Sequence, residues 1–210
     1  MKIGIIGAGN IGGTLGRHWV EAGCQVRFGV RDATKIKPLL DELRAGAGAL
    51  SPVEAAAWGE AVVFAGPYGA WPEFARDAAA VLAGKVVIDA ANPYPARDGA
   101  IVDEIANSGR GSGAFTQNLL PGARVVKAFN TVYWIDLRDK AHQPGELLAM
   151  PIAGDDADAV VTAAALATEA GFDPVVVGGL DRSGDLDPGS AIYAKSFTAA
   201  QVRAALSLTN

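Results

Sequence analysis

Three glycines near the start of the chain have the spacing of a phosphate-binding turn. Gly7, Gly9 and Gly12 follow a short apolar run, residues 3–6, and a helical pattern opens at residue 10 or 11. A buried strand, a glycine turn and a helix in this order are typical of dinucleotide-binding folds. Gly7 permits the tight turn, Gly9 lets a pyrophosphate approach the backbone, and Gly12 lets the helix pack on the strand. The free N–H groups at the helix start favour phosphate. We therefore predict a bound dinucleotide; the alternative is a glycine turn without a ligand.

The residues after the second predicted strand, 25–30, indicate which dinucleotide to expect. Asp32 lies 20 residues beyond Gly12, where NAD-binding proteins place an acid for the ribose 2′-hydroxyl. Arg31 precedes this acid and Lys35 follows it. Two cations at this place favour a 2′-phosphate, which arginine can hold through two parallel hydrogen bonds. The alternative is that all three residues form a solvated loop. We predict NADP(H) rather than NAD as the cofactor.

Composition restricts the class of protein. The chain has 210 residues, of which 50% are hydrophobic and 20% charged, as in ordinary globular proteins. Its 23 acids against 18 bases argue against a nucleic-acid partner. Neither a membrane-spanning run nor a signal-peptide segment is predicted, so we expect a cytoplasmic protein without a membrane partner. Cys24 is the only cysteine, and His18 and His142 lack the spacing of metal ligands, so no metal site is predicted.

Apolar strands alternate with helices, which predicts an α/β fold with a doubly wound, mainly parallel sheet of the Rossmann, NAD(P)-binding type. Residues 1–210 are expected to form a single domain, with a core at about 1–150 and a short C-terminal extension, 151–210, of the same sheet. Residues 92–113 are predicted to form a long loop with a short helix at 101–106, a lid or a partner surface. We expect the side chains of Arg17, His18, Asp98, Asp103, Glu104 and Arg110 to be exposed.

Polar residues follow the carboxyl ends of two predicted strands, where ligands lie in an open α/β sheet. Asn92 follows the strand at 85–89, and Asn130 and Thr131 follow the strand at 124–129. We predict that these three side chains orient the reacting rings; the alternative is that each only ends its strand in a turn. No Ser-His-Asp or acid–base constellation is evident, which is consistent with hydride transfer, where the cofactors carry the chemistry.

Several segments together resemble the family of NADPH:deazaflavin oxidoreductases, the coenzyme F420-dependent NADP reductases. The segments are residues 3–13, 29–35, 125–131, 151–156 and 187–193. The glycine motif is common to many enzymes, whereas the Lys-Ala-Phe-Asn-Thr stretch at 127–131 and the Gly-Asp pair at 154–155 are more specific. The resemblance implies contacts of the pyrophosphate with Ala8, Gly9, Asn10 and Ile11, of the 2′-phosphate with Arg31 and Lys35, and of the nicotinamide side with Gly66, Pro67, Ala91 and Asn92.

The resemblance implies an NADPH-dependent oxidoreductase that transfers a hydride between NADP(H) and a deazaflavin, coenzyme F420, bound over the nicotinamide. Characterised family members often have a serine and an arginine where this chain has Val30 and Asp32, and a histidine in place of Asn130. A second hypothesis replaces the deazaflavin by a flavin, a metal chelate or a small carbonyl or imine substrate. A third is a non-enzymatic NADPH-binding redox sensor or partner subunit. A homodimer is considered because clefts of this kind are often completed by a neighbouring subunit.

Overall fold

The computed structural model describes residues 1–208, and its eight strands form one sheet. The strands are β1 (Lys2–Ile6), β2 (Gln25–Gly29), β3 (Ala47–Leu50), β4 (Ala61–Phe64), β5 (Val86–Asp89), β6 (Arg124–Lys127), β7 (Ala149–Gly154) and β8 (Asp173–Gly178). Their order across the sheet is β3-β2-β1-β4-β5-β6-β7-β8. The predicted α/β fold with a doubly wound sheet is therefore confirmed.

The α-helices cover both faces of this sheet. They are α1 (Asn10–Glu21), α2 (Lys37–Leu43), α3 (Pro52–Trp58), α4 (Trp71–Leu82), α5 (Pro95–Asp98), α6 (Ile101–Ser108), α7 (Ser112–Leu119), α8 (Trp134–Asp139), α9 (Ala157–Glu169) and α10 (Ala199–Ala205). Short 3₁₀ helices lie at Ala33–Ile36, Arg44–Gly46, Tyr68–Ala70 and Leu180–Leu186. None of the helices in residues 1–208 has the length and apolar character needed to cross a membrane.

Strand direction places the candidate residues at one edge of the sheet. Strands β1 to β6 pair in parallel, so their carboxyl ends lie together. The glycine turn after β1 therefore shares an edge with the segments that follow β2, β4, β5 and β6. Strand β7 runs antiparallel to β6, and β8 is parallel to β7. The last two strands extend the same sheet, as expected, but in the opposite direction.

The core consists of large apolar side chains on both faces of the sheet. Trp19 of α1 is fully buried and donates its indole N–H to the carbonyl of Leu166 in α9 at 2.9 Å. On the other face, Trp71 of α4 stacks on Phe64 with ring centroids 3.9 Å apart. Each such side chain contributes about 1.5–3 kcal/mol by burial. These two layers hold the strands, and therefore the strand ends, in place.

Two helix starts follow their sequence signals. Ser51 accepts a hydrogen bond from the N–H of Glu54, whose carboxylate accepts the N–H of Ser51, and this capping box begins α3. Thr198 and Gln201 form the same arrangement before α10. Reciprocal capping satisfies N–H groups that have no partner within the helix. The local sequence therefore defines these two boundaries.

The helix expected at 101–106 forms the first part of α6, but the long loop predicted for the rest of residues 92–113 is wrong, because α5, the end of α6 and the start of α7 lie there. The expectation that His18 is exposed is also wrong. Its side chain is 9% exposed, and its Nε2 lies 2.8 Å from the carbonyl oxygen of Leu137 in α8. Helix α8 packs on α1 from more than a hundred residues away, a contact that the amphipathic pattern of α1 alone does not reveal.

Candidate functional site

The three glycines of the turn differ in what the fold requires of them. Gly7 has a φ of +99°, which favours glycine. A Cβ on Gly12 would lie 2.1 Å from the carbonyl oxygen of Gly7, so the turn and α1 require glycine there. A Cβ on Gly9 would meet no other part of residues 1–208 within 4 Å. The protein leaves open space above Gly9, as the approach of a ligand to the backbone requires.

The start of α1 presents unpaired N–H groups beside this space. Gly9 is the N-cap residue and supplies no side-chain cap, and the first turn contains no acidic residue. Free N–H groups and the helix dipole attract anions at such an end. Ala8, Asn10 and Ile11 lie at this turn, half-buried or exposed. The residues present therefore fit the phosphates of a dinucleotide.

Asp32, the acid at the position typical of NAD-binding proteins, caps the 3₁₀ helix that follows it. Its Oδ1 accepts hydrogen bonds from the backbone N–H and the hydroxyl of Thr34, at 3.0 and 2.6 Å. The bond from the Thr34 hydroxyl, then the one from the backbone, lower the pKa of the Asp32 carboxyl. Arg31 and Lys35 are exposed on either side. One oxygen of the acid is thus engaged locally, while the two cations face solvent.

Asn92 and Asn130 meet at the ends of β5 and β6. The amide Nδ2 of Asn92 donates to the backbone carbonyl of Asn130, and Nδ2 of Asn130 donates to Oδ1 of Asn92, each at 2.9 Å. The backbone carbonyl of Thr131 accepts the N–H of Ala194 at 2.8 Å, and Thr131 is buried. Sequence reasoning predicted that Asn92, Asn130 and Thr131 act together, and the structure brings them to one place.

Within residues 1–208, the side-chain oxygen of Asn130 is buried without a hydrogen-bond partner. Its Nδ2 also donates to the carbonyl of Leu186 at 2.8 Å, and that carbonyl needs a donor, so the orientation of the amide is determined by its neighbours. A buried acceptor without a partner costs about 1–3 kcal/mol. Oδ1 of Asn130 is therefore an unpaired acceptor closed to solvent, and a ligand with an N–H or O–H donor would reach it only after a local rearrangement.

The remaining predicted contacts lie at neighbouring strand ends. Gly66 and Pro67 directly follow β4, with Gly66 half-buried and Pro67 exposed, while Ala91 is buried after β5. Phe129, between β6 and Asn130, has a φ of +62°, an unfavourable value for a residue with a side chain. Its ring is fully buried and packs edge-to-face on Trp19, with centroids 5.5 Å apart. Core packing thus stabilises the sharp turn that precedes Asn130.

Sequence reasoning missed a buried ion pair behind this edge. Lys127 Nζ lies 3.1 Å from Oδ2 of Asp89, and both side chains are fully buried. The carboxylate also accepts hydrogen bonds from Trp71 Nε1, the N–H of Ala91 and the hydroxyl of Thr116, at 3.1, 3.0 and 2.9 Å. Lys127 donates to the carbonyl of Ala91 as well. Opposite charges at paired positions of two apolar strands, Asp89 beside Lys127, are the signal that could have revealed it.

The C-terminal segment and α5 come together beside Asn92. The hydroxyl groups of Tyr94 and Tyr193 are in hydrogen-bond contact. Burial, then the bond to Tyr94, raise the pKa of the Tyr193 hydroxyl above its usual value. Arg97 stacks over the ring of Tyr94 at 4.9 Å and donates to the backbone carbonyl of Asn92 at 2.6 Å. Aromatic and cationic side chains therefore surround the polar strand ends.

The expectation that Asp98 is a solvated charge is wrong, because its side chain is only 1% exposed. Oδ1 accepts the N–H of Gly69 at 3.0 Å, Oδ2 accepts that of Tyr94 at 2.8 Å, and both oxygens bind Arg97. Burial raises the pKa of the Asp98 carboxyl, but the hydrogen bonds from Arg97, Tyr94 and Gly69 together outweigh it, so the pKa is lowered. Asp98 therefore joins the segment after β4 to α5.

Replacing Asp98 by asparagine is expected to lower the free energy of unfolding by about 1.5–3 kcal/mol at pH 7, the range for hydrogen bonds to a charged group. Since folding lowers this pKa, the carboxylate stabilises the fold above the unfolded value of about 3.9, and this stabilisation is lost as pH falls through the folded value. Urea unfolding of wild type and Asp98→Asn at pH 7 and pH 3 checks this. The exposed Asp103→Asn variant is the control, and a difference that does not shrink in acid contradicts the prediction.

Residues 2–93 match the model of the family described as NADP oxidoreductase, coenzyme F420-dependent. The match confirms the resemblance predicted from the sequence and, at the level of the family, the class of enzyme, an NADP-linked oxidoreductase. It covers β1 to β5 and the residues directly after them, and so includes the glycine turn, Arg31, Lys35, Pro67 and Asn92. Among curated proteins, none matches the chain significantly.

Solved structures share the fold over most of the chain. A hypothetical protein from Sinorhizobium meliloti is 27% identical, with a TM-score of 0.79 over 94% of this chain and 95% of its own. A candidate F420-dependent NADP reductase from Arthrobacter is 23% identical, with a TM-score of 0.70 over 88% of this chain and 87% of its own. An imine reductase from Bacillus cereus is 19% identical, with a TM-score of 0.63 over 87% of this chain and 57% of its own. The last two likenesses concern the fold alone.

Proposed function

We propose that this protein, an NADP-linked oxidoreductase by its family match, transfers a hydride between NADP(H) and a deazaflavin, coenzyme F420. The observation that carries this proposal is the free, buried Oδ1 of Asn130, which lies at the same sheet edge as the open glycine turn. The nicotinamide carboxamide and the deazaflavin ring both carry N–H donors for such an acceptor. Support for a deazaflavin as the second substrate comes from the family description and from the candidate reductase of Arthrobacter.

In this proposal the protein binds and orients, and NADPH, when bound, supplies the hydride that the deazaflavin takes up together with a proton. The N–H groups at the start of α1 hold the pyrophosphate in the space above Gly9. Arg31 and Lys35, both exposed after β2, attract the 2′-phosphate, while Asp32 is engaged with Thr34. The paired amides of Asn92 and Asn130 orient the rings at the ends of β5 and β6. No covalent nucleophile is required, because positioning of the two rings is sufficient for hydride transfer.

A direct assay tests the proposal. Purified protein is mixed with NADPH and oxidised deazaflavin, and the loss of deazaflavin absorbance is followed. We expect turnover with NADPH and much slower turnover with NADH. Binding of NADPH is measured separately by quenching of protein fluorescence. Tight NADPH binding without turnover would reject the deazaflavin as acceptor, whereas no binding of either dinucleotide would reject the oxidoreductase proposal as a whole.

A small carbonyl or imine substrate is the second candidate. The observation that favours it is the Tyr94–Tyr193 hydroxyl pair beside Asn92, because reduction of C=O or C=N needs a proton donor near the hydride acceptor. A tyrosine hydroxyl carries its proton at neutral pH, since its ordinary pKa is about 10. NADPH consumption with a panel of cyclic imines and small ketones, without deazaflavin, tests this candidate. Turnover there and none with deazaflavin would favour it over the first proposal.

A further inference from the structure

A cavity of about 520 Å³ opens beside the glycine turn, between α1, the start of α2 and α8. The turn contributes Gly9 and Asn10 to its wall, and Lys35 lies at the α2 side. Arg17 comes from α1, and Trp134 and Arg138 come from α8. The cavity therefore joins the predicted pyrophosphate site to the segment after β2, where the adenosine ribose is expected.

All the charged side chains that line this cavity are basic, namely Arg17, Lys35 and Arg138. Arg17 binds Glu42 through Nε and Nη2 at 2.7 and 2.8 Å. Arg138 binds Asp139 through the same two nitrogens at 2.6 and 2.8 Å. A guanidinium has five N–H donors, so each arginine is held in place by two and retains three. The carboxylates orient the arginines without using all of their donors.

The two guanidinium groups line the same cavity, so their like charges repel each other. The hydrogen bond to Glu42 raises the pKa of Arg17, while the positive charge of Arg138 acts in the opposite direction. An anion that enters the space between like charges reduces the repulsion between them. A phosphate group has several acceptor oxygens, and its geometry matches the planar N–H fork of arginine.

We infer that this cavity receives the 2′-phosphate of NADP(H), and that Arg17 and Arg138 bind it together with Lys35. The inference rests on the proposed function, since it takes NADP(H) as the ligand. It adds two residues from outside the segment after β2. Arg138 in particular lies more than a hundred residues from Lys35 in the chain, and only the packing of α8 on α1 brings it to the cavity. The preference for NADP over NAD would then depend on α8.

The test uses the full-length protein and two pairs of ligands, NADP⁺ with NAD⁺ and 2′,5′-ADP with 5′-ADP. Dissociation constants are measured by calorimetry for wild type, Arg17→Gln and Arg138→Gln. Each substitution is expected to raise the dissociation constants of NADP⁺ and 2′,5′-ADP about tenfold or more, because a hydrogen bond to a charged group is lost. Binding of NAD⁺ and 5′-ADP should stay within about twofold, since they lack the 2′-phosphate.

Arg76→Gln is the matched control, since Arg76 also bonds the adjacent acid, Asp77, but is exposed on α4 and does not line the cavity. It should leave all four dissociation constants unchanged. Arg138→Lys keeps a charge on α8 and should retain part of the NADP⁺ preference. Thermal melts show whether each variant is folded. Should Arg138→Gln not fold, Arg138→Lys and Arg17→Gln still decide the matter.

The outcomes separate this inference from the proposed function. Wild-type protein that binds neither dinucleotide would reject the proposed function. A wild-type preference for NADP⁺ that survives in Arg17→Gln and Arg138→Gln would overturn the inference and leave the function standing. Equal losses for ligands with and without the 2′-phosphate would also overturn it, since the arginines would then act on the pyrophosphate or on the fold. In wild type, higher salt concentration should weaken the binding of NADP⁺ more than the binding of NAD⁺.

Discussion

Replacing Lys127 by methionine is expected to lower the free energy of unfolding by about 3–5 kcal/mol, the largest loss predicted for any single side chain of this protein. Methionine fills a similar volume but leaves the Asp89 carboxylate buried and without its cation. Three neutral donors, from Trp71, Ala91 and Thr116, remain on that carboxylate and do not neutralise its charge. A domain is usually stable by only about 5–15 kcal/mol, so this loss is severe.

Two further variants identify the cause. Lys140→Met removes an exposed partner of Asp136, with Nζ and Oδ1 3.2 Å apart, and should cost less than about 1 kcal/mol. In Asp89→Asn/Lys127→Met the buried charge is absent, so the double variant should be more stable than Lys127→Met. Urea unfolding followed by circular dichroism measures all three. A loss in Lys127→Met no larger than in Lys140→Met would contradict the prediction.

The same ion pair also positions part of the candidate site, because its two side chains bind the backbone N–H and the backbone carbonyl of Ala91. Asp89 accepts the N–H of Ala91, and Lys127 donates to its carbonyl. Asn92 follows directly and pairs with Asn130. The position of the ring-orienting amides thus depends on charges buried beneath them. Buried polar networks of this kind make a local geometry specific when every member has a partner.

The strands were predictable because parallel strands buried on both faces are short runs of β-branched and apolar residues. The boundaries of β2 (Gln25–Gly29) and β5 (Val86–Asp89) lie within one residue of those predicted, 25–30 and 85–89. The direction of β7 was not predictable, since an apolar run has the same pattern in either orientation. Helices α5 and α6 were missed or shortened because Pro, Gly and Asp in residues 92–113 favour turns locally. Here Asp98, which bonds Gly69 and Tyr94, stabilises what local propensity disfavours.

Residues of the candidate site could be predicted where their place depends on local sequence, and not where it depends on contacts between distant parts of the chain. The glycine turn and Asn92 and Asn130 sit where a strand ends, and that position can be located from local pattern alone. The buried state of Lys127 and the place of Arg138 beside the glycine turn arise from strand pairing and helix packing across the fold. Charged side chains are usually exposed, so a sequence pattern predicts exposure for Lys127 and Arg138. Their actual positions depend on a buried partner and on a cavity that form only in the tertiary structure.

Gly9→Val is expected to weaken NADP⁺ binding about a hundredfold while leaving the fold intact. Gly9 has φ −76° and ψ −159°, values that any residue adopts, and a Cβ there would touch no protein atom within 4 Å. The fold therefore does not require glycine at this position. A valine side chain would fill the space above the N–H groups of α1. Loss of two charge-assisted phosphate contacts, at about 1.5 kcal/mol or more each, corresponds to about two powers of ten in affinity.

Two other glycines provide the comparison. Gly12→Ala places a Cβ 2.1 Å from the carbonyl oxygen of Gly7, so it should destabilise the protein as well as abolish binding. Gly122→Ala meets only ordinary contacts at 3.7 Å, away from the turn, and should change neither property. Thermal melts and calorimetric titration with NADP⁺ are run on all three variants. Normal NADP⁺ affinity in folded Gly9→Val would mean that no phosphate approaches the backbone here, and the dinucleotide site would have to lie elsewhere. A loss of binding in Gly9→Val at unchanged melting temperature would assign the glycine to the ligand rather than to the fold.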